Sequence, residues 1–190
     1  MTTIRRSHYE QAFERFLSER GVAYVSVDDA RHAAGGRPRI KMFDYIVYPP
    51  GGVNYLVDVK GRKVRGGAAS TRRECWVTRG DLEGLKRWAQ AFGDGFEAAF
   101  VFAYWLEEGT KTRGGRSVRG EVAPGTGARV CLAGRQYEFV VVRLDDYRRH
   151  ARQRSPRWRT VTLGSEAFRA CAEAASAAWS RPAAEASARR

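Results

Sequence analysis

Apolar residues recur at helical spacing in two segments of the chain, and we predict a helix in each of these and in two further segments. The first segment, 7–20, has one apolar face, opens on an S-x-x-E capping box and is followed by a glycine suited to a C-terminal cap. The second, 79–92, opens on a similar T-x-x-D motif. The segment 145–154 is short and very basic, and 166–179 is rich in alanine.

Shorter runs rich in β-branched and aromatic residues predict strands between these helices. Pro-Pro-Gly-Gly at 49–52 is typical of a turn and joins two strands into a hairpin, and Ala133-Gly134 joins another pair. The segments 61–73 and 107–129 are expected to be a basic connection and an exposed loop. The predicted strands are 22–27, 42–48, 53–60, 96–106, 129–132, 136–144 and 157–163.

The order of these elements is typical of an α/β fold: a mixed central β-sheet flanked by helices, with a C-terminal hairpin and helical additions. A chain of 190 residues is expected to form one domain. We place that domain at 1–182, with a core at 7–106 and a C-terminal elaboration at 129–182. The segment 183–190 is expected to be a flexible tail.

The charge of the chain gives the first indication of function. It has 34 Lys and Arg residues and 21 acidic residues, so its formal net charge is +13. The positive electrostatic potential of such a protein attracts phosphate polymers, so DNA is the expected partner. The alternative is that the Arg-rich composition has no connection with nucleic-acid binding. The longest apolar run, 98–106, is too short to cross a bilayer, and no targeting signal is visible. Three scattered cysteines without C-x-x-C argue against a zinc or disulfide framework. A cytoplasmic, nucleoid-associated protein is expected.

Two aspartates stand inside the predicted apolar hairpin. Strand residues two apart point to the same side, so Asp58 and Lys60 share one face. If the hairpin pairs Tyr48 with Asn54, Asp44 lies opposite Asp58. Facing carboxylates repel each other, and a divalent cation between them removes that repulsion. Oxygen ligands suit Mg²⁺, with Mn²⁺ as a substitute.

Lys60 would then lie beside the metal ion, where it could orient the attacking water or stabilise charge on a phosphate. The pattern D…D-x-K therefore predicts phosphodiester hydrolysis. A third carboxylate, Glu10, lies at the border of the apolar helix face. It either looks inward at the sheet or serves only as the capping-box residue.

With Glu10 on the first helix, Asp44 in the hairpin and the run Asp58-Val59-Lys60 on the next strand, the chain resembles the PD-(D/E)XK nuclease superfamily. Over 10–63 it is most similar to archaeal-type Holliday junction resolvases. The resemblance implies a restriction-endonuclease-like core, Mg²⁺ bound by Glu10, Asp44, Asp58 and the Val59 carbonyl, and water activation by Lys60. It also implies DNA products with 5′-phosphate and 3′-hydroxyl ends.

The chain departs from the family pattern in three respects. Asp58 replaces the commoner Glu, Phe43 replaces the Pro that gives the superfamily its name, and the stretch after Phe96 is longer than the resolvase core. Specificity for four-way junctions is therefore open, as are restriction and repair roles. Two symmetric cuts would need two active sites, which a homodimer would supply, and the oligomeric state is open.

Basic residues near the motif and in 147–159 are expected to hold phosphates, and Trp76 could stack on an unpaired base, although solvated turns and a core tryptophan are the plainer alternatives. A nuclease-fold nucleic-acid-binding module that does not cut is one alternative function. A second alternative is a scaffold protein in which Asp44 and Asp58 form salt bridges with Arg39, Lys60 or Arg62. The candidate nucleic-acid-binding residues are Arg37, Arg39, Lys41, Arg62, Lys63, Arg65, Arg72, Arg73, Arg148, Arg149 and Arg152.

Overall fold

A computed structural model describes residues 6–27, 41–50, 52–65, 73–107 and 128–179. The expected loop after position 107 and the expected tail 183–190 lie outside these residues. The helices are α1 (His8–Glu19), α2 (Arg79–Phe92), α3 (Leu144–His150), α4 (Ser165–Cys171) and α5 (Ala175–Ala178). The strands are β1 (Ala23–Ser26), β2 (Tyr45–Tyr48), β3 (Asn54–Arg65), β4 (Val77–Thr78), β5 (Phe96–Glu107), β6 (Arg129–Leu132), β7 (Arg135–Arg143), β8 (Arg152–Ser155), β9 (Thr160–Thr162) and β10 (Glu173–Ala174).

The strands build a seven-stranded sheet in the order β1-β2-β3-β5-β7-β10, with β6 paired to β7. β3 and β5 run parallel over twelve residues each and are joined through α2, whereas the other pairs are antiparallel. A separate three-stranded sheet has the order β4-β9-β8. The predicted fold class, a mixed sheet flanked by helices, is confirmed.

Each face of the large sheet covers its own apolar core. On one face, α1 buries Phe13, Phe16 and Leu17 against the sheet, and Trp179 joins them. On the other face, α2, α3 and α4 pack on strand residues that include Leu56 and a row of aromatic side chains from β5. Because β5 lies between two neighbours and is covered on both faces, it is apolar almost throughout.

Caps define the first two helices as predicted. Both halves of the capping box form in α1, between Ser7 and Glu10, and in α2, between Thr78 and Asp81. Gly21 follows α1 with φ 63°, a left-handed conformation that favours glycine. Among the described residues, no helix is long and apolar enough to cross a membrane.

The prediction of a basic connection after Lys60 is wrong for its first five residues. β3 continues to Arg65, because β5 offers a parallel partner along its whole length and pairs Arg65 with Glu107. Gly61 lies within this strand, where the ring of Tyr9 occupies the space that a Cβ would need. The glycine thus allows α1 to approach the strand closely.

Two C-terminal helix predictions are also wrong in part. The segment 145–154 is helical only to His150, after which β8 pairs with β9. The segment 166–179 is interrupted by β10, which pairs with β7 and separates α4 from α5. This break lets Trp179 reach the core, with its ring 5.7 Å from that of Phe13.

Candidate active site

The β2–β3 hairpin brings Asp44 and Asp58 together. β2 pairs with β3 in the predicted register, with Tyr45 opposite Val57, so Asp44 precedes one member of this pair and Asp58 follows the other. The backbone N–H of Asp44 donates to the Val57 carbonyl at 2.8 Å. Its carboxylate Oδ2 accepts the Val59 N–H at 2.7 Å, which ties the Asp44 side chain to the strand that carries Asp58.

Asp58 and Lys60 lie on the same face of β3, as their spacing predicted. Asp58 is only 4% exposed, and its Oδ1 is 2.7 Å from the Lys60 Nζ. The Lys60 ammonium also reaches Oδ1 of Asp81 at 2.9 Å. Lys60 is therefore held between two buried carboxylates rather than extended into solvent.

Asp81 is a site residue that sequence reasoning missed. It was assigned only to the capping box, and that assignment is confirmed: its Oδ2 accepts the Thr78 N–H and hydroxyl, both at 2.6 Å. The other oxygen, Oδ1, accepts both Lys60 and Lys41. The T-x-x-D motif signals the cap but carries no information on the contact with Lys60, which depends on how α2 packs on β3.

The electrostatics of this cluster are uneven. Burial raises the pKa of Asp44, and the neighbouring Asp58 carboxylate raises it further, to about 8, against the opposing effects of the Val59 N–H and Lys60. Burial also raises the pKa of Asp58, although Lys60 opposes it. Burial would raise the pKa of Asp81 too, but Lys60 and hydrogen bonds from Lys41 and Thr78 bring it below its usual range.

The pKa of Lys60 is raised in turn. Burial would lower this pKa, but Asp58 and Asp81 more than offset the loss of hydration. Lys60 is therefore a fixed cation at neutral pH and is unsuited to accept a proton. Asp58 and Asp81 are balanced by Lys60 and Lys41, whereas Asp44 has no ion pair with any residue in the described ranges. With a pKa of about 8, Asp44 is largely protonated at neutral pH when no cation is bound.

A divalent cation beside Asp44 would lower this pKa and favour the ionised carboxylate, because it would supply a positive charge that no ion pair among the described residues provides. Within the described residues, no group of three or more His, Cys, Asp or Glu side chains is placed to hold a metal ion. Mg²⁺, however, is commonly held by one or two carboxylates, with the remaining positions taken by water and substrate phosphate. Asp44 and Asp58, with oxygen donors only, fit that kind of site.

The structure places Glu10 on the opposite side of the sheet from α2, on the helix that packs over Tyr45 and Val57. Its carboxylate accepts the Ser7 N–H at 3.3 Å, as a capping residue does. It also contributes to raising the pKa of Asp44, after larger effects from burial and Asp58. The metal-binding roles of Glu10 and of the Val59 carbonyl stay predictions.

Several candidate phosphate-binding residues are engaged inside the fold. The Arg62 guanidinium stacks 4.0 Å over the ring of Trp76, donates to the Trp76 and Gly61 carbonyls, and makes no ion pair with Asp44 or Asp58 in the described part of the chain. Burial lowers the pKa of Arg62. Arg73 pairs with Glu138 at 2.9 Å.

The other candidates are nearer the surface. Lys63 pairs with Glu107 at 2.5 Å. Arg148 and Arg149 make exposed ion pairs of 3.4 and 3.3 Å within α3, which contribute little to stability. Arg65 and Arg152 are exposed. Arg37, Arg39 and Arg72 lie outside the described residues, so their roles stay predictions.

The fold defines the chain as a mixed α/β protein with a helix-flanked sheet. Among solved structures, it is similar to that of Hjc, a Holliday junction resolvase from the archaeal hyperthermophile Archaeoglobus fulgidus, with a TM-score of 0.44 and 14% sequence identity over 85% of this chain and 90% of that chain. No protein-family model and no curated protein match the chain. At this TM-score the likeness is descriptive, and function has to be argued from the site.

Proposed function

We propose that the protein is a metal-dependent nuclease that hydrolyses DNA phosphodiester bonds with Asp44, Asp58 and Lys60. The observation that carries this proposal is the charge arrangement of the cluster. Lys60 Nζ lies 2.7 Å from Asp58 Oδ1, and the neighbouring Asp44 is tied to the same strand by the Val59 N–H at 2.7 Å and has no ion pair among the described residues. A structural ion-pair network would not need Asp44, since burying a carboxyl group that has no ion pair costs stability.

Each side chain has a distinct role in this proposal. A bound Mg²⁺ would polarise the phosphodiester and lower the pKa of a water molecule. Asp44 and Asp58 would hold the ion through their oxygens. The Lys60 ammonium, positioned at Asp58, would stabilise the negative charge that develops on the phosphate.

Asp81 serves as a positioning residue in the same proposal. Its Oδ1 accepts Lys60 at 2.9 Å, and its Oδ2 is fixed by Thr78 at the start of α2. The Lys60 ammonium is thereby held in one place, and its charge is available without reorganisation during the reaction. The net charge of +13 would draw the DNA towards the protein.

Cleavage assays on labelled plasmid, linear duplex, single strands and four-way junctions test the proposal. The wild type should cut with Mg²⁺ or Mn²⁺ and not with EDTA, and Asp58→Asn and Lys60→Met should each reduce cutting at least about 100-fold. Asp145→Asn, at a carboxylate that is 82% exposed on α3, is the matched control and should cut normally.

The outcomes separate the alternatives. Metal-dependent cutting that is lost in Asp58→Asn supports the nuclease, and the preferred substrate defines its subclass. Tight DNA binding with no cutting in the presence of either metal would refute the nuclease proposal and favour a nucleic-acid-binding module. Cutting that is equal in wild type and Asp58→Asn would mean that this cluster is not the active site.

A further inference from the structure

The turn between β8 and β9 carries a solvent-exposed tryptophan, Trp158. Trp158 is 69% exposed, more than the other large apolar side chains in the described part of the chain that stand out from the surface. It lies in the four-residue turn 156–159, at the end of the three-stranded sheet. Much of this indole ring is therefore accessible to a ligand.

The turn is held in one conformation by hydrogen bonds. The Arg159 N–H donates to the Pro156 carbonyl at 3.1 Å, and the Trp158 N–H donates to the Ser155 hydroxyl at 3.3 Å. Arg159 adopts φ 46°, which turns the chain back into β9. Trp158 is therefore presented by an ordered turn, which reduces the entropy lost when the ring binds.

The turn is also tied to the candidate active site. The Arg159 carbonyl accepts the N–H of Arg79, the first residue of α2, at 2.8 Å. β9 pairs with β4 and places Thr160 opposite Thr78. Thr78 in turn binds Asp81, which binds Lys60. A continuous set of short contacts thus connects Trp158 to the catalytic lysine.

The charge around Trp158 indicates what the ligand is. The Arg157 guanidinium lies 5.2 Å from the centre of the Trp158 ring. Arg154 makes one long ion pair, 3.7 Å, with Glu74. No acidic side chain in the described ranges pairs with the other arginines of the hairpin, which are Arg152, Arg157 and Arg159. An aromatic ring among arginines suits a chain of alternating flat bases and phosphates.

We infer that the β8–β9 turn is a base-stacking element, in which Trp158 stacks on an unpaired base and the hairpin arginines contact the flanking phosphates. The inference rests on the proposed nuclease function and names its substrate class: DNA with unpaired bases beside the scissile phosphate. In an uninterrupted duplex the bases are stacked on each other, so Trp158 would find no free base face.

Trp76, the earlier candidate for this role, is not available for stacking. Arg62 covers its ring at 4.0 Å and Arg154 lies 5.1 Å from its centre. Trp158 has a single arginine near its ring, Arg157 at 5.2 Å among the described residues, and is 69% exposed, so it has more ring area available for stacking.

The test measures binding in EDTA, so that cleavage cannot interfere. Wild type, Trp158→Ala and Trp158→Phe are titrated with a labelled oligo-dT strand and with a duplex of equal length, and fluorescence anisotropy gives each Kd. Trp158→Ala should weaken single-strand binding about 5- to 150-fold, the range for loss of one base–aromatic stack, and change duplex binding less than about twofold. Trp158→Phe should retain most of the affinity. Val25→Ala, at an exposed apolar residue on the edge strand β1, is the control and should bind as wild type.

Thermal melts establish that the variants are folded, which is expected since the Trp158 ring is exposed. Single-strand binding by Trp158→Ala within twofold of wild type would overturn the inference, as would equal losses on single strand and duplex. Because this readout needs no metal, it separates the two proposals: stacking without cutting would refute the nuclease and leave Trp158 as the base-stacking element of a DNA-binding protein. Metal-dependent cutting together with single-strand binding that does not change in Trp158→Ala would support the nuclease and refute the base-stacking role of Trp158.

Discussion

Replacing Asp44 by Asn should stabilise the metal-free protein. The Asp44 carboxylate adjoins Asp58 and has no ion pair among the described residues, and its pKa is raised to about 8. A raised carboxyl pKa means that the folded protein holds this proton more tightly than the unfolded chain does. The associated stability is therefore complete below about pH 4 and is lost as the pH rises towards 8.

The size of the effect follows from the pKa gap. A pH of 7 lies about 3 units above the carboxyl pKa in the unfolded chain, which is about 3.9. Each unit corresponds to about 1.4 kcal/mol. The upper limit is thus about 4 kcal/mol, and water near the partly buried group reduces it to about 1–2 kcal/mol. Asparagine keeps the shape and an oxygen that can accept the Val59 N–H.

Urea denaturation in EDTA between pH 5 and 9 measures this difference. The advantage of Asp44→Asn over wild type should grow with pH up to about 8, whereas the exposed control Asp145→Asn should show no such trend. Mg²⁺ at 100 times its Kd should add about 2.7 kcal/mol to the wild type and little to Asp44→Asn. If Asp44→Asn is less stable than wild type at pH 8 in EDTA, the carboxylate has a counter-charge and the argument for a cation at this position is refuted.

Three further substitutions test the surroundings of the site. Asp81→Asn should lower kcat about 100-fold, because the Lys60 ammonium keeps only its contact with Asp58 and is positioned less exactly. The variant should also lose about 3 kcal/mol of stability through the broken ion pairs of Asp81; unchanged cleavage would exclude a positioning role. Gly61→Ala should destabilise the protein by about 1–3 kcal/mol, since the new methyl group overlaps the ring of Tyr9. Thermal melts should show recovery when Tyr9→Ala is added, and no recovery would place the strain elsewhere. Arg62→Ala should cost about 1–2 kcal/mol by removing the stack on Trp76 and the bonds to carbonyl groups. Its DNA affinity in anisotropy titrations should stay within about twofold, and a large loss would mean that this guanidinium contacts DNA.

The elements that could be predicted from sequence are those whose signals are local. Both capping boxes define helix starts through contacts three residues apart, so α1 and α2 begin where predicted. The register of the β2–β3 hairpin is set by period-two alternation and a short turn, so the sequence is sufficient to predict that Asp44 lies opposite Asp58.

The features that were missed depend on partners distant in sequence. β3 extends to Arg65 because β5 is long enough to pair with it, and nothing in 61–65 alone indicates this partner. The alanine-rich sequence of 166–179 is compatible both with one continuous helix and with two shorter helices. The pairing of β10 with β7 selects the interrupted arrangement. Asp81 and Lys60 are 21 residues apart, and only the packing of α2 on β3 joins them.

The parallel β3–β5 pair also implies an order of events during folding. The β2–β3 hairpin has a short connection and can form within microseconds, whereas β3 and β5 must wait for α2 and the chain around it to close a much longer loop. The aspartates of the hairpin therefore meet first, while still hydrated, and the bond from Lys60 to Asp81 forms only when the crossover docks. The docking of α2 is therefore the stage of assembly at which Asp81 joins Asp58 around Lys60.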